Sequence, residues 1–338
     1  MKMQKAALLL MFVWIGMISC STKVELYTDF KDVTIVYGVM DVAQDTNFIK
    51  ITRAFSGSND GSFDAYQFTQ IADSLNYPGK LDARLIELKN VHGNYAPTGR
   101  EIILDTITIH NKQEGLFYAP DQKMYYTKEH FKVNNENEKY RYQLSVRKAN
   151  DTVTSEIGLL GSTNFQIHSD MVYFRSKNNA KTRKLYFSPD DNDAIYQIKM
   201  QFNYKELHPM QDTVNKNVVL DLGSFSMVDL GYEDGLYFVT YHENDLFRVL
   251  ATAIGDDTIY AERFFDSFVI SIAAYGKELH HYALTNQPTS VIDYSYTNIK
   301  GGRGVLSSRY RIGKDVKLSS LTQTDLLSMP WGFQHLGY

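Results

Sequence analysis

Cysteine is nearly absent: Cys20 is the only one in 338 residues. An intramolecular disulfide is therefore excluded, and an exported lone thiol is left for another use. Proline is scarce, at 7 residues, while Tyr and Phe are abundant, at 24 and 19. That balance speaks against a disordered stalk and for a packed, strand-rich body. A basic surplus is also missing: 35 Lys and Arg stand against 39 Asp and Glu, a net charge of −4. Without residues 1–19, which hold two lysines and no acids, the balance becomes 33 − 39 = −6. Binding of nucleic acid or anionic lipid through a general field needs a concentrated positive surface, and none is present. The pattern His-Glu-x-x-His, the nucleophile elbow Gly-x-Ser-x-Gly and the phosphate-cradling Walker loop are all absent, so no enzyme chemistry has a signature here.

What is present begins at the N-terminus. Lys2 and Lys5 precede Ala6 to Ile18, a thirteen-residue apolar run of the length of a secretory signal and too short for a permanent span. Met17-Ile18-Ser19-Cys20 follows. This tetrapeptide resembles the lipobox of bacterial lipoproteins, in which a small residue precedes a cysteine that is lipidated and becomes the mature N-terminus. Residues 1–19 are read as a removed signal and 20–31 as a lipidated tether. One acyl chain holds a protein only marginally, because each buried methylene contributes roughly 0.8 kcal/mol, and two or three chains hold it stably.

The rest reads as mainly β, in two parts. Residues 32–160 carry short β-branched and aromatic runs at 34–40, 47–53, 81–88 and 101–109, with a loop expected over 92–100. Tyr140, Tyr142, Leu144 and Val146 alternate with Arg141, Gln143, Ser145 and Arg147, the mark of a sheet with one wet face. Thr152 to Ile157 pairs with that strand as a hairpin. This half is expected to be an immunoglobulin-like or transthyretin-like β-sandwich. A helix is expected over 64–76, ended by Pro78-Gly79. Residues 161–338 are expected to form a β-rich domain with two packed helices, 244–254 and 277–286. The first has Asn244 as a cap and Gly255 as its stop; in the second, Leu279, Tyr282 and Ala283 face inward.

Near the C-terminus, Tyr296-Thr297-Asn298-Ile299 runs into Gly301-Gly302-Arg303-Gly304 and a strand. With Ile35-Val36-Tyr37-Gly38, Ile49 to Phe55, Tyr142 to Val146 and Ser271 to Ala283, this resembles a large family of Bacteroidota lipoproteins classed as domain of unknown function four-two-four-nine. The resemblance implies an outer-membrane lipoprotein with β-sandwich domains, encoded beside TonB-dependent receptors, and no established activity. It adds a possible TonB-dependent receptor partner to the membrane contact through Cys20.

Other clusters are weaker. Glu278, His280 and His281 share a helical turn but lack the i, i+4 spacing of zinc ligands, and read as a solvated face. Asp190-Asp191-Asn192-Asp193 lacks the glycine and bidentate Glu of a calcium loop, and reads as a turn. Gly301, Gly302 and Gly304 read as positions of positive φ rather than a phosphate cradle. No cofactor or metal is expected. Aromatic residues in loops are the candidates for touching a glycan, a peptide or a protein partner: Tyr95, Phe117 and, in the tail after Pro330, Trp331. The expected function is a non-enzymatic, outer-membrane-anchored lipoprotein that binds a ligand or a transporter partner. The alternatives are an anchored glycan-acting hydrolase with paired carboxylates and a structural or adhesive surface module.

Overall fold

A computed structural model describes residues 33–54, 76–110, 121–148, 151–176, 181–191, 193–208, 212–255, 262–285 and 296–334. The expected signal, tether and lipid site at Cys20, all of the helix expected over 64–76 but its last residue, and Phe117 lie outside these residues.

The protein is mainly β. One eight-stranded sheet organises it, in the order β13-β12-β16-β17-β1-β2-β6-β5. Its strands are β1 (Val33–Asp41), β2 (Asn47–Ala54), β5 (Asp105–Ile109), β6 (Gln122–Thr127), β12 (Ile195–Leu207), β13 (Val214–Phe225), β16 (Glu262–Tyr275) and β17 (Gly302–Asp315). Every pairing is antiparallel except the central one: β1 and β17 run parallel, from Thr34 opposite Gly302 to Asp41 opposite Arg309. The sheet thus takes four strands from before residue 160 and four from after it.

The alternation in these strands builds two cores on the same face of that sheet. Val36 and Met40 of β1, with Ile49 and Ile51 of β2, pack against a four-stranded sheet of β3 (Asp82–Val91), β4 (Asn94–Ile103), β7 (Tyr140–Arg147) and β8 (Thr152–Ile157). Leu85, Tyr142, Leu144, Val146 and Val153 supply its side of the sandwich. Tyr196, Ile198, Met200 and Phe202 of β12, with Ile270 and Ile272 of β16, form the second core. They face a sheet of β9 (Gln166–Ile167), β11 (Thr182–Ser188), β14 (Gly231–Glu233) and β15 (Leu236–His242), and two helices, α1 (Asp245–Ile254) and α3 (Ser320–Ser328). A two-stranded sheet of β10 (Met171–Val172) and β18 (Lys317–Leu318) completes this side. The chain passes from one core to the other between Leu159 and Leu160.

Several local details differ from what the sequence suggests. The stretch 92–100 is not a loop: His92 and Gly93, both at positive φ (53° and 91°), make a two-residue turn of the kind that fits strand twist, and β4 follows at once. Pro97 and Gly99 are tolerated because β4 is the outer strand of its sheet and a bulge falls opposite Ile86 to Leu88. Helix α1 buries Leu246, Phe247, Leu250 and Ile254 as its inner stripe. Gly255 ends it at φ 57°, its N–H donating to the Ala251 carbonyl at 3.0 Å. Asn244 stands at the cap position without a capping hydrogen bond from its side chain. Helix α2 (Lys277–Thr285) buries no side chain completely; Ala283 is exposed, and Tyr282 holds the helix on the sheet by donating to the Tyr37 hydroxyl at 3.0 Å.

Helix α3 is a third helix beyond the two expected. Its inner face is polar, with Thr322 and Asp325 buried beside Leu326. The Ser319 hydroxyl caps it, accepting from the Thr322 N–H at 3.2 Å. Thr322 Oγ1 accepts from the Phe174 N–H at 2.8 Å and donates to its carbonyl at 3.0 Å. Asp325 accepts from Arg175 Nε and the Ser176 N–H, both at 2.9 Å.

Candidate functional site

Charged residues pointing inward are saturated. Glu87 is fully buried and accepts from Arg100 Nη1 and Lys132 Nζ, each at 3.1 Å, from Thr98 Oγ1 at 3.1 Å and from Tyr142 Oη at 3.2 Å. Arg263, 1% exposed, bonds Glu206 at 2.9 Å and the Trp331 carbonyl at 2.7 Å, while His208 Nε2 lies 2.7 Å from the other Glu206 oxygen. In both networks the carboxylate is buried, Glu87 at 0% and Glu206 at 6% exposure. Burial alone would push the Glu87, Glu206 and Asp325 carboxyls up. The hydrogen bonds and charges of Lys132 and Arg100, of His208 and Arg263, and of Arg175 and Ser176 outweigh it, and hold all three below the usual carboxylate range.

A pH dependence follows from these directions. In the unfolded chain the three acids titrate near their ordinary values, about 4. The stability they contribute is present above that range and is lost as pH falls through it toward their lower folded values. The thermal midpoint is expected to be flat from pH 7 to about 5 and to fall steeply below about 4. A midpoint unchanged at pH 3 in circular-dichroism melts would contradict the assignment.

Clefts are open at several places among the described residues. The larger of two of them, about 520 Å³, lies between β2, β5, β6 and the turn at Pro78-Gly79. Its polar groups are engaged with one another: Lys123 Nζ donates to the Tyr77 and Gly79 carbonyls at 3.1 and 2.8 Å, and His110 Nδ1 lies 2.9 Å from Asp121. The second, about 310 Å³, is on the outer face of the eight-stranded sheet, where β16, β17 and the turn after β1 meet. Here register does the building. Ala273 stands opposite Arg311, and Tyr275 opposite Arg309. The single methyl of Ala273 leaves a depression between longer neighbours, and Asp41 and Gln44 close one end. Arg309 Nε donates to Asp41 at 3.1 Å. The side chains of Arg311, Tyr275 and Gln44 have no hydrogen-bond partner among the described residues.

The residues singled out from sequence do not converge on either cleft. Trp331 is 4% exposed, stacked on Phe247 at 6.1 Å, and its carbonyl is held by Arg263. Its ring packs in the second core, which corrects the expectation of a ring presented to a ligand: the C-terminal tail adds itself to the start of β16 through the Arg263–Phe333 bridge. Tyr95 is half-buried on β4 beneath the Arg141 guanidinium, 4.6 Å from its ring centre. Among the described residues no group of three His, Cys, Asp or Glu is placed to hold a metal ion. Glu278 lies 3.3 Å from Ser307 Oγ, and His281 packs edge-on to Tyr296. In the acidic turn, Asp190 accepts from the Gly161 and Ser162 N–H groups, Asp191 from the Asp193 N–H, and Asp193 pairs with Lys277. Gly301 and Gly304 take positive φ, 76° and 107°, whereas Gly302 does not: it already lies in the strand, opposite Thr34. A further shallow depression carries Glu136 and Glu138, the latter bound by Lys89 at 2.6 Å and Tyr140 at 2.8 Å. The Arg309–Arg311 cleft was not visible in the sequence. Alternating arginines on a strand look like an ordinary wet face, and only the register with Ala273 shows the hollow between them.

No family model and no curated protein matches the chain. Among solved structures, one match is the C-terminal globular domain of an oligosaccharyltransferase from Pyrococcus abyssi, at 9% identity with a TM-score of 0.24, covering 86% of this chain. The chain spans about half the length of that structure, 48%.

Proposed function

We propose that the protein is an outer-membrane lipoprotein of the Bacteroidota family it resembles, anchored by lipid on Cys20, that binds a ligand or a TonB-dependent transporter partner and catalyses no reaction of its own. Met17-Ile18-Ser19-Cys20 behind a thirteen-residue apolar run carries this reading. No described helix is long and apolar enough to cross a membrane. The first described strand begins at Val33, and the tether Ser21 to Lys31 reaches at most ~35 Å, which keeps the body near the bilayer. The first core, a sheet facing a second antiparallel sheet, is read as the immunoglobulin-like or transthyretin-like sandwich and the second as the β-rich partner domain. The larger cleft and the Arg309–Arg311 cleft are each lined by one carboxylate, Asp121 and Asp41, whereas glycoside hydrolysis uses two. The shallow depression does carry two, Glu136 and Glu138, but Lys89 and Tyr140 hold Glu138, which favours binding over turnover.

Cys20→Ala is expected to abolish incorporation of radiolabelled palmitate in growing cells and to move the protein from the detergent to the aqueous phase on Triton X-114 partition. Equal labelling of the two forms would remove the anchor from this reading. Affinity isolation of the tagged lipidated protein from outer membranes tests the partner half, which is lost if no transporter accompanies it.

A further inference from the structure

We propose that the hollow between Arg309 and Arg311 is a binding site for a small ligand bearing a carboxylate, sulfate or phosphate group. It deepens the binding half of the reading above and is independent of the lipid anchor.

Three features of the hollow point to an oxyanion. First, its donors are unspent. The Arg311 guanidinium, the Tyr275 hydroxyl and the Gln44 amide have no partner among the described residues. Arg309 uses its Nε on Asp41 at 3.1 Å, and its two terminal nitrogens make no bond there. Arginine presents a rigid planar fork that matches carboxylate, sulfate and phosphate oxygens two at a time. Second, the forks share one ligand-sized space. Arg309 and Arg311 lie two residues apart on one strand, so their side chains project from the same face about 7 Å apart at the backbone, and Ala273 gives the floor. A volume of about 310 Å³ admits a group the size of a monosaccharide or a small organic acid. Third, the local charge is positive. Two guanidinium groups face one carboxylate, Asp41, whose oxygens are already engaged by Arg309 and by the Ala43 N–H at 3.0 Å. Asp41 acts as a positioning residue. It fixes the Arg309 side chain through Nε and leaves the terminal nitrogens toward the hollow. This concentration stands out on a chain whose net charge is −4.

The test is calorimetric titration of the full-length protein in detergent with sodium sulfate, sodium phosphate and sodium glucuronate, in the wild type and in Arg311→Gln, Arg309→Gln and Arg248→Gln. The Arg311 side chain makes no hydrogen bond among the described residues, so its replacement is expected to leave the melting temperature unchanged. Arg248, exposed on α1, reports on any general charge effect. Saturable binding of at least one anion, weakened about tenfold or more by Arg311→Gln and by Arg309→Gln and left unchanged by Arg248→Gln, is expected, the scale of one lost charge-assisted contact. The anion bound most tightly identifies which oxyanion the site takes. No saturable binding of any of the three, an undiminished affinity in the Arg311 variant, or an equal loss in the Arg248 variant overturns the proposal. None of those results bears on palmitate labelling of Cys20, so this site and the anchor fail separately.

Discussion

Gly304→Ala is expected to destabilise the fold by on the order of 3–5 kcal/mol, enough to leave much of the protein unfolded at growth temperature. Two independent causes combine. The residue sits at φ 107°, a conformation that an L side chain rarely adopts. A methyl placed there would also stand 2.0 Å from the Val36 carbonyl oxygen, on the strand that pairs with it. Neither contact can relax by a rotamer change, because both partners are backbone in the one parallel pairing of the central sheet. Gly313→Ala, in the same strand but with nothing nearer than 3.9 Å, is the matched control and should move the urea midpoint by about 0.5 kcal/mol or less. Similar midpoints for the two variants would show that the β1–β17 contact is looser than described.

The second large effect is expected at Arg263. Arg263→Met removes a guanidinium that is almost wholly buried and bonds Glu206 and the Trp331 carbonyl. Methionine fills much of the space but leaves the Glu206 carboxylate and that carbonyl short of donors in the interior. Breaking one side of a buried pair costs about 3–5 kcal/mol. His208, still 2.7 Å from Glu206, offsets part of the loss, so the lower end is expected. The double variant Arg263→Met/Glu206→Leu should regain stability relative to the single one, since no stranded charge remains. Chemical denaturation of the wild type, Arg263→Met, Glu206→Leu and the double variant measures the coupling, and additive losses would show that the two residues do not act as a pair.

Local pattern revealed some of this architecture and long-range pairing hid the rest. The alternation of Tyr140 to Arg147 is enough to place a half-wet strand, and Gly255 marks a helix end, because both signals are carried by neighbours in sequence. Helix α3 was hidden because its inner face is made by Thr322 and Asp325, which satisfy Phe174, Arg175 and Ser176 and leave no apolar period. β4 was hidden by Pro97 and Gly99, residues that an outer strand accepts and an inner one rejects. Nothing near Trp331 in sequence signals its burial, because the guanidinium that holds its carbonyl, that of Arg263, is 68 residues away. The cleft was the least visible feature, since it needs Ala273, Tyr275, Arg309 and Arg311 in register across two strands.

The parallel pairing of β1 with β17 also sets a timetable for folding. Asp41 and Arg309, in contact at its end, are 268 residues apart. Until Gly302 to Asp315 is in place, the first strand has no partner on one edge, and Val36 and Met40 lack the Leu306 side of their core. Closure over so long a loop is slow. The centre of the sheet therefore forms only in the finished chain, and a chain cut short before Gly302 exposes a bare strand edge to proteases and chaperones.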